Sequence, residues 1–338
     1  METADVIVLG LGPAGASAAA EAARRGCKVI ALDRKHEPGK PVQCAELVPA
    51  MIGAELSGSV RQRIDAMATF VEDDAPDVKP DFPGHMLDRA AFDAALVEAA
   101  RRAGAQVRFS SYVRKISREG IVEAAGRRLS APVIVGADGP RSRAGKAIGA
   151  VNSELVETRQ ITVGLLEPYH ATDIFLSRGI PGGYGWLFPK GDVANLGAGV
   201  VPRHKARLKP IIARLHSKLV EEGRVGAKIV RLTGGAIPVG GMLEPYGALE
   251  KTVVLLAGDA AGLANPVTGA GIAAAVHSGR LAGQAAATGA IADYVEELED
   301  VYRAALERAM RRRRELLGSN HGKAALRRGW IAYPEYWT

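Results

Sequence analysis

The chain lacks most of the residues that would place it in a class at once. It has two cysteines in 338 residues, Cys27 and Cys44. That excludes a four-cysteine zinc site, a cysteine-ligated iron–sulfur cluster and a secreted disulfide framework. Its seven histidines show neither HxH nor HExxH spacing, so no histidine-built metal centre is expected. Aromatic residues make up only 5%. The longest charge-free stretch, Ala260–Gly279, is interrupted by Gly, Asn and Pro and makes a poor membrane span. The opening ADVIVLGLGPAG reads as a strand entering a turn, not as a signal peptide. The expected location is the cytoplasm, with the membrane surface as an alternative place of work.

Glycine is abundant: 40 of 338 residues, against a usual share of about 7%. Much of it lies in clusters flanked by apolar runs, a pattern that suits close backbone approach to a ligand. The net charge of +7 is local. Arg303, Arg308, Arg311, Arg312, Arg313, Arg314, Lys323, Arg327 and Arg328 face only Glu307 and Glu315 in that segment, and the rest of the chain is balanced. The length predicts roughly two domains, and 47% hydrophobic with 24% charged residues is ordinary for a globular chain.

Asp5–Gly10 reads as a strand, Ala14–Arg25 as an alanine-rich helix closed by Gly26, and Lys28–Leu32 as a second strand, which makes a βαβ unit. Residues 34–50 read as a long loop and Glu72–Pro83 as an exposed one. Asp88–Ala103 is helical. Strand-like runs follow at Gln106–Ile116, Ile121–Ala124 and Val133–Ala137, and residues 153–201 are strand-rich. A basic helix covers Lys205–Glu221, with Pro210 kinking it or delaying its start. Val253–Ala257 is a buried strand, and Thr268–Ala287 and Asp293–Leu317 are helices.

Gly10-Leu11-Gly12-Pro13-Ala14-Gly15 is a GxGxxG element between strand and helix. Its first glycine allows the sharp turn, its second the approach of amides to a pyrophosphate, and its third close helix–strand packing. The helix N-terminus adds partial positive charge. Asp33, at the end of the second strand, is placed to accept hydrogen bonds from a ribose diol, and it would repel a 2′-phosphate. These features read as a dinucleotide site.

Three later segments carry a resemblance. They are Leu87-Asp88-Arg89-Ala90-Ala91-Phe92-Asp93, Gly136-Ala137-Asp138-Gly139-Pro140-Arg141-Ser142, and Leu256-Ala257-Gly258-Asp259-Ala260-Ala261-Gly262 continuing to Ile272. In this order the chain resembles the aromatic-hydroxylase-like flavoproteins and, more closely, the geranylgeranyl reductase family. The resemblance implies FAD as cofactor. It implies contacts to FAD from Gly10, Gly12, Ala14, Gly15, Asp33, Cys44, Ala45, Arg89, Val113, Asp259, Gly271 and Ile272, with Arg89 reaching the phosphate and ribityl region and Val113 near the adenine. Asp138 reads as structural at least as readily as a contact. A positive helix end at Gly271 and Ile272 would stabilise the reduced flavin. The family pattern often has an acid or glycine where Ala270 stands.

Pro181-Gly182-Gly183-Tyr184-Gly185-Trp186-Leu187-Phe188-Pro189 fits PxxYxWxFP, which resembles the family's signature. On a strand, Tyr184, Trp186 and Phe188 face one side, with Gly185 and Leu187 on the other. That face is either the wall of an apolar channel for substrate or an ordinary core strand. Gly197 and Gly199 are small enough to let a ring system lie against their strand. Pro41-Val42-Gln43-Cys44-Ala45-Glu46 resembles the family's PV-x-C-x-E loop, which puts Cys44 beside the flavin, as a proton-delivering or tuning group or as an inert thiol. Cys27 reads as structural. The chain ends sooner than many members, and Leu47-Val48-Pro49 differs from many relatives.

The expected fold is α/β: a Rossmann-like FAD-binding domain of the glutathione-reductase and aromatic-hydroxylase type, with an inserted antiparallel β-sheet domain. The domains are expected at 1–150 together with 246–318 (FAD), 151–245 (substrate and catalysis) and 319–338 (tail). The resemblance implies reduction of C=C bonds in an isoprenoid chain by hydride from flavin N5. Cys44, Tyr184 and Trp186 are the candidate catalytic residues, and Tyr184, Trp186 and Phe188 the candidate substrate wall. Expected partners are a prenyl lipid and an electron donor that is NADPH or ferredoxin-like. The basic C-terminal helix is either a peripheral membrane contact or a solvated helix end, and no nucleic acid is expected. A flavin monooxygenase and a non-catalytic FAD-binding electron-transfer protein are the competing readings.

Overall fold

The computed structural model describes residues 1–49, 58–318 and 322–338. The strands Val6–Leu9, Val29–Leu32, Val133–Gly136 and Val253–Leu256 are buried along nearly their whole length, as parallel strands covered on both faces must be. Together with Gln106–Arg108 they form a parallel sheet. Tyr246–Ala248 is added antiparallel on one edge, in the order 246–248, 253–256, 133–136, 6–9, 29–32, 106–108.

The helices Pro13–Arg24 and Ile272–Thr288 run side by side over this sheet. Gly279 and Gly283 make that possible: a Cβ there would come 2.1 Å from the Ala14 carbonyl oxygen and 2.4 Å from that of Ala18. The pairings 14 with 279 and 18 with 283 make the two helices parallel, so both N-termini open at the same end. A four-stranded sheet of Glu2–Thr3, Arg127–Ser130, Val122–Ala124 and Val113–Ile116 contributes Val122, Ala124 and Leu129 to the same core.

The second body is an eight-stranded sheet with Val225–Thr233, Leu155–Leu165, Val193–Val200, Gly185–Lys190, Ala171–Leu176, Ala66–Val71 and Asp77–Lys79 in that order, and Ala236–Pro238 beside Leu155–Leu165. The helix Leu208–Glu221 packs Ile211, Ile212, Leu215 and Leu219 against Leu187, Leu196 and Ala198 on one face. The other face carries Met67, Ile174, Trp186 and Phe188, together with Trp330 and Tyr336 from the C-terminal segment.

Several expectations need correction. The expected strand Gln106–Ile116 is two strands in two sheets, broken at Ser110 (φ 54°), whose amide donates to the Lys35 carbonyl. The eight-stranded sheet is mixed, because Ala66–Val71 runs parallel to Ala171–Leu176. It also recruits residues 66–79 from within the first expected segment, so the Glu72–Pro83 loop contains an edge strand. The loop at 34–50 ends in a short strand, Leu47–Pro49; residue 50 lies outside the described residues. The helix expected from Thr268 starts at Ile272, because the Asn265 side chain ties residues 265–268 into a turn. The basic helix starts at Leu208 with Pro210 in its first turn, where its missing N–H is least costly. The helix expected from Asp293 starts at Ile291 and passes through a π-helical stretch at Glu299–Arg303.

Candidate active site

A single cavity of ≈ 580 Å³ is lined from both bodies, a size that suits a cofactor-sized ligand. At one end the glycine loop closes on itself. Gly10 has φ +90°, and a Cβ there would come 2.3 Å from the Ala137 oxygen; a Cβ on Gly15 would come 1.8 Å from the Gly10 oxygen. Gly12 differs: its Cβ would meet no protein atom within 4 Å, and it faces the cavity. The Pro13–Arg24 helix has no side-chain cap, so its first amides are left for whatever the cavity holds. Asp33 accepts from the Leu11 amide (2.7 Å) and the Lys35 amide (2.8 Å). Each carboxylate oxygen therefore keeps capacity for one more donor. Val113 lines the same end.

In the middle of the cavity, Arg89 grips Asp93 through two bonds of 2.9 and 3.1 Å. Burial opposes its charge, but the Cys44 sulfur and the Asp93 carboxylate beside it outweigh burial and raise its pKa. Asp259 also faces the cavity. Burial pushes its pKa up to about 6, with Arg89 pulling the other way. Behind it, Asn265 Oδ1 accepts from the amides of Val267 and Thr268, both at 3.0 Å. This fixes the turn that leads into the second uncapped helix at Gly271 and Ile272. Asp138, by contrast, spends its carboxylate on Ser142 and the Arg143 amide.

The Cys44 loop is anchored by its neighbour. Glu46 is 1% exposed, with φ 71°. Its carboxylate accepts from Lys190 Nζ (2.9 Å), Asn195 Nδ2 (3.0 Å), Arg231 (3.2 Å) and the Arg89 amide (3.2 Å). Cys44 Sγ accepts from the Glu46 amide at 3.2 Å. The Cys44 carbonyl accepts from Gln160 Nε2 (3.2 Å), while Gln160 Oε1 accepts from the Trp186 indole (3.1 Å). One buried glutamine thus links the thiol loop to the aromatic strand.

That strand forms the apolar limb of the cavity. Tyr184, Trp186 and Phe188 share one face, with successive ring centroids 5.7 and 6.1 Å apart. Leu187 packs on the helix side. The Tyr184 hydroxyl donates to the Thr268 carbonyl at 2.6 Å, and burial raises its pKa. Trp330 packs against Tyr184 with ring centroids 4.8 Å apart and the planes tilted by 58°, and donates its indole N–H to Met67 Sδ at 3.4 Å.

Every residue expected at the site lines this cavity except Gly15, which shapes the loop from behind. The expected role of Gly197 and Gly199 is corrected. A Cβ on Gly197 would fall 2.3 Å from the Trp186 ring, and one on Gly199 2.8 Å from Val156. The ring lying on this strand is therefore the protein's own indole. Sequence reasoning missed Gln160, the donors gathered on Glu46, and Trp330 as a cavity wall. The one available signal was the single amide side chain, Gln160, of the Leu155–Leu165 strand.

Comparison with known proteins places this geometry. The family model described as "FAD binding domain" matches residues 3–167, and that described as "Geranylgeranyl reductase catalytic domain" matches residues 156–237. The digeranylgeranylglycerophospholipid reductase of Methanosarcina acetivorans is 32% identical over 332 residues, covering 88% of this chain and 79% of its own. Digeranylgeranylglycerophospholipid reductase 2 of Methanopyrus kandleri is 37% identical over 309 residues, covering 84% and 76%. The crystal structure of a geranylgeranyl bacteriochlorophyll reductase-like protein from Thermoplasma acidophilum superposes with a TM-score of 0.83 at 25% identity, covering 96% of this chain and 90% of that one. The fold and site are those of an FAD-dependent oxidoreductase. Within that class, the chain belongs to the geranylgeranyl reductase family.

The lining fits FAD on its own terms. The uncapped N-terminus of the Pro13–Arg24 helix, with a glycine that has open space beside it, suits a pyrophosphate. The second uncapped N-terminus, at Gly271 and Ile272, suits a ring that gains negative charge on reduction, and a carboxylate with spare acceptor capacity suits a ribose. Among the described residues no cluster of His, Cys, Asp or Glu could hold a metal, and no helix is long and apolar enough to cross a membrane.

Proposed function

We propose that this chain reduces C=C bonds in the isoprenoid chain of a prenyl lipid, of the kind named in its relatives, with the chain lying along Tyr184, Trp186 and Phe188. The observation that carries this reading is the continuity of one cavity from the glycine loop to the aromatic limb. Gly10, Gly12 and Ala14 hold the pyrophosphate, with Gly15 shaping their loop from behind, Asp33 holds the ribose and Val113 borders the adenine. Arg89 and Asp259 hold the phosphate and ribityl region, and Cys44, Ala45, Gly271 and Ile272 border the ring. FAD, when bound and reduced, supplies the hydride.

The protein's own share is to bind, to exclude water and to manage one proton. An isolated alkene accepts hydride poorly until it is protonated, which puts positive charge on the more substituted carbon. The electron-rich ring faces of Trp186 and Tyr184 stabilise that charge. Tyr184 is a poor proton donor, since its hydroxyl proton is engaged by Thr268 and burial raises its pKa. Cys44, lining the cavity, is the side chain proposed to hold the proton at Sγ.

The natural electron donor in this reading is NADPH or a ferredoxin-like protein. The membrane contact narrows to the exposed Arg311 and Arg314 of the basic helix, with the exposed Arg328 of the short Lys323–Arg328 helix beyond it. Arg312 and Arg313 instead donate to carbonyls of the chain, and Lys323 and Arg327 pair with Asp74 and Asp77. The test uses FAD-loaded protein, reduced with dithionite and given a geranylgeranyl-bearing glycerophospholipid without oxygen. The expected product gains two hydrogens per double bond by mass spectrometry. A product that forms only in oxygen and gains an oxygen atom would establish a monooxygenase instead. Flavin reoxidised only by a one-electron acceptor would establish an electron carrier.

A further inference from the structure

Behind the turn that leads into the Ile272 helix lies a charge that the chemistry above does not use. Arg313, on the Ala304–Gly318 helix, is 6% exposed. Its Nη1 donates to the Pro266 carbonyl at 3.3 Å, and its Nε is buried without a hydrogen-bond partner. Val267 of the turn and Ala309 of the helix belong to one core. Among the described residues no carboxylate forms an ion pair with Arg313. Glu154 attracts it only at longer range, and burial pushes its pKa down to about 10, so it stays charged at neutral pH. A buried cation without a partner is costly, and one long bond to a carbonyl is small compensation. An apolar residue would serve packing better.

The front of the same turn, Thr268 to Gly271, lines the cavity. We infer that the Arg313 guanidinium is a positioning charge for the reaction, holding positive potential behind this turn and favouring the reduced state of the flavin in front of it. The inference rests on the reading above, in which the ring borders Gly271 and Ile272. Two electrons and one proton reduce the ring, so it gains one net negative charge, and a fixed cation within the low-dielectric interior favours that state.

The test is equilibration of FAD-loaded protein against a redox dye at fixed poise, read as the ratio of reduced to oxidised flavin. Arg313→Gln keeps hydrogen-bonding capacity without charge, and Arg313→Lys keeps charge. The Gln variant is expected to shift the ratio about tenfold toward oxidised flavin, which is about 30 mV for a two-electron couple. The Lys variant is expected to stay within about threefold of the parent. A purely structural role predicts the same ratio in all three, and an unshifted Gln variant overturns the inference. Should the Gln variant not fold, Arg313→Met, an unbranched uncharged side chain suited to the apolar surroundings, takes its place: the same shift toward oxidised flavin is expected, and an unshifted ratio overturns the proposal. Failure of the parent chain to take up FAD would strike the reading of the site instead, so the two failures are distinguishable.

Discussion

Burial holds the Asp259 carboxyl at a pKa of about 6, against 3.8 for an unperturbed aspartate. The native chain therefore keeps this proton more tightly than the unfolded chain does. The stabilisation this gives is fully present below about pH 4 and is lost as the pH rises to about 6. In flavin-free protein, Asp259→Asn should raise stability at pH 7 by roughly 1–3 kcal/mol, and the gain should shrink toward zero near pH 4. The same variant should bind FAD more weakly, since in the proposed placement Asp259 is the anionic acceptor for ribityl hydroxyls. Thermal melts across that pH range with a flavin titration check both, and a pH-independent gain contradicts the burial argument. Asp259 was legible in the sequence because a Gly-Asp pair after a buried strand is a local pattern. The grip on Glu46 was not, since its donors Lys190, Asn195 and Arg231 come from strands more than a hundred residues away.

At the scale of elements, the aromatic strand and its neighbour work as one unit. The alternation over Tyr184–Phe188 predicted which side chains share a face, because a strand's period of two is written in the sequence. It could not say what fills the hollow left by Gly197, since that depends on which strand pairs with which. In the structure Trp186 pairs with Gly197 and lays its indole across it. Gly197→Ala should push the indole away and break the bonds that run from Trp186 through Gln160 to the Cys44 carbonyl. The expected cost is about 1–3 kcal/mol of stability, with a raised KM for prenyl substrate and little change in FAD affinity. Equal losses of FAD and lipid binding would show that the strand and the cofactor end are not separable. The parallel pairing of Ala66–Val71 with Ala171–Leu176 escaped sequence reasoning for the same reason: the sequence separation is about a hundred residues, and nothing local encodes it.

For the whole molecule, the question is what sets the length of the apolar limb. From the Gln160 strand to the Met67 strand there are four inter-strand steps, roughly 19 Å in all, enough for an extended chain of several isoprene units. The C-terminal segment closes this run. Trp330 lies over Met67 and against Tyr184, and Ile331 beside it also faces the cavity. Lys323 and Arg327 tie the segment down by pairing with Asp74 and Asp77 at the far edge of the sheet. The part of the chain whose sequence gave least guidance thus forms the end wall of the proposed substrate channel. Trp330→Ala should cost about 3–5 kcal/mol and, where it folds, extend the limb. Activity should then shift from geranylgeranyl toward longer prenyl chains, with FAD affinity unchanged. Trp330→Phe, which keeps a ring over Met67, should retain the parent's preference. Comparing turnover of farnesyl, geranylgeranyl and longer prenyl lipids in parent and variants checks this. If Trp330→Ala kept the parent's chain-length order, the segment would be a structural strap and the limit would lie with Phe188 or Ile174 on the sheet itself.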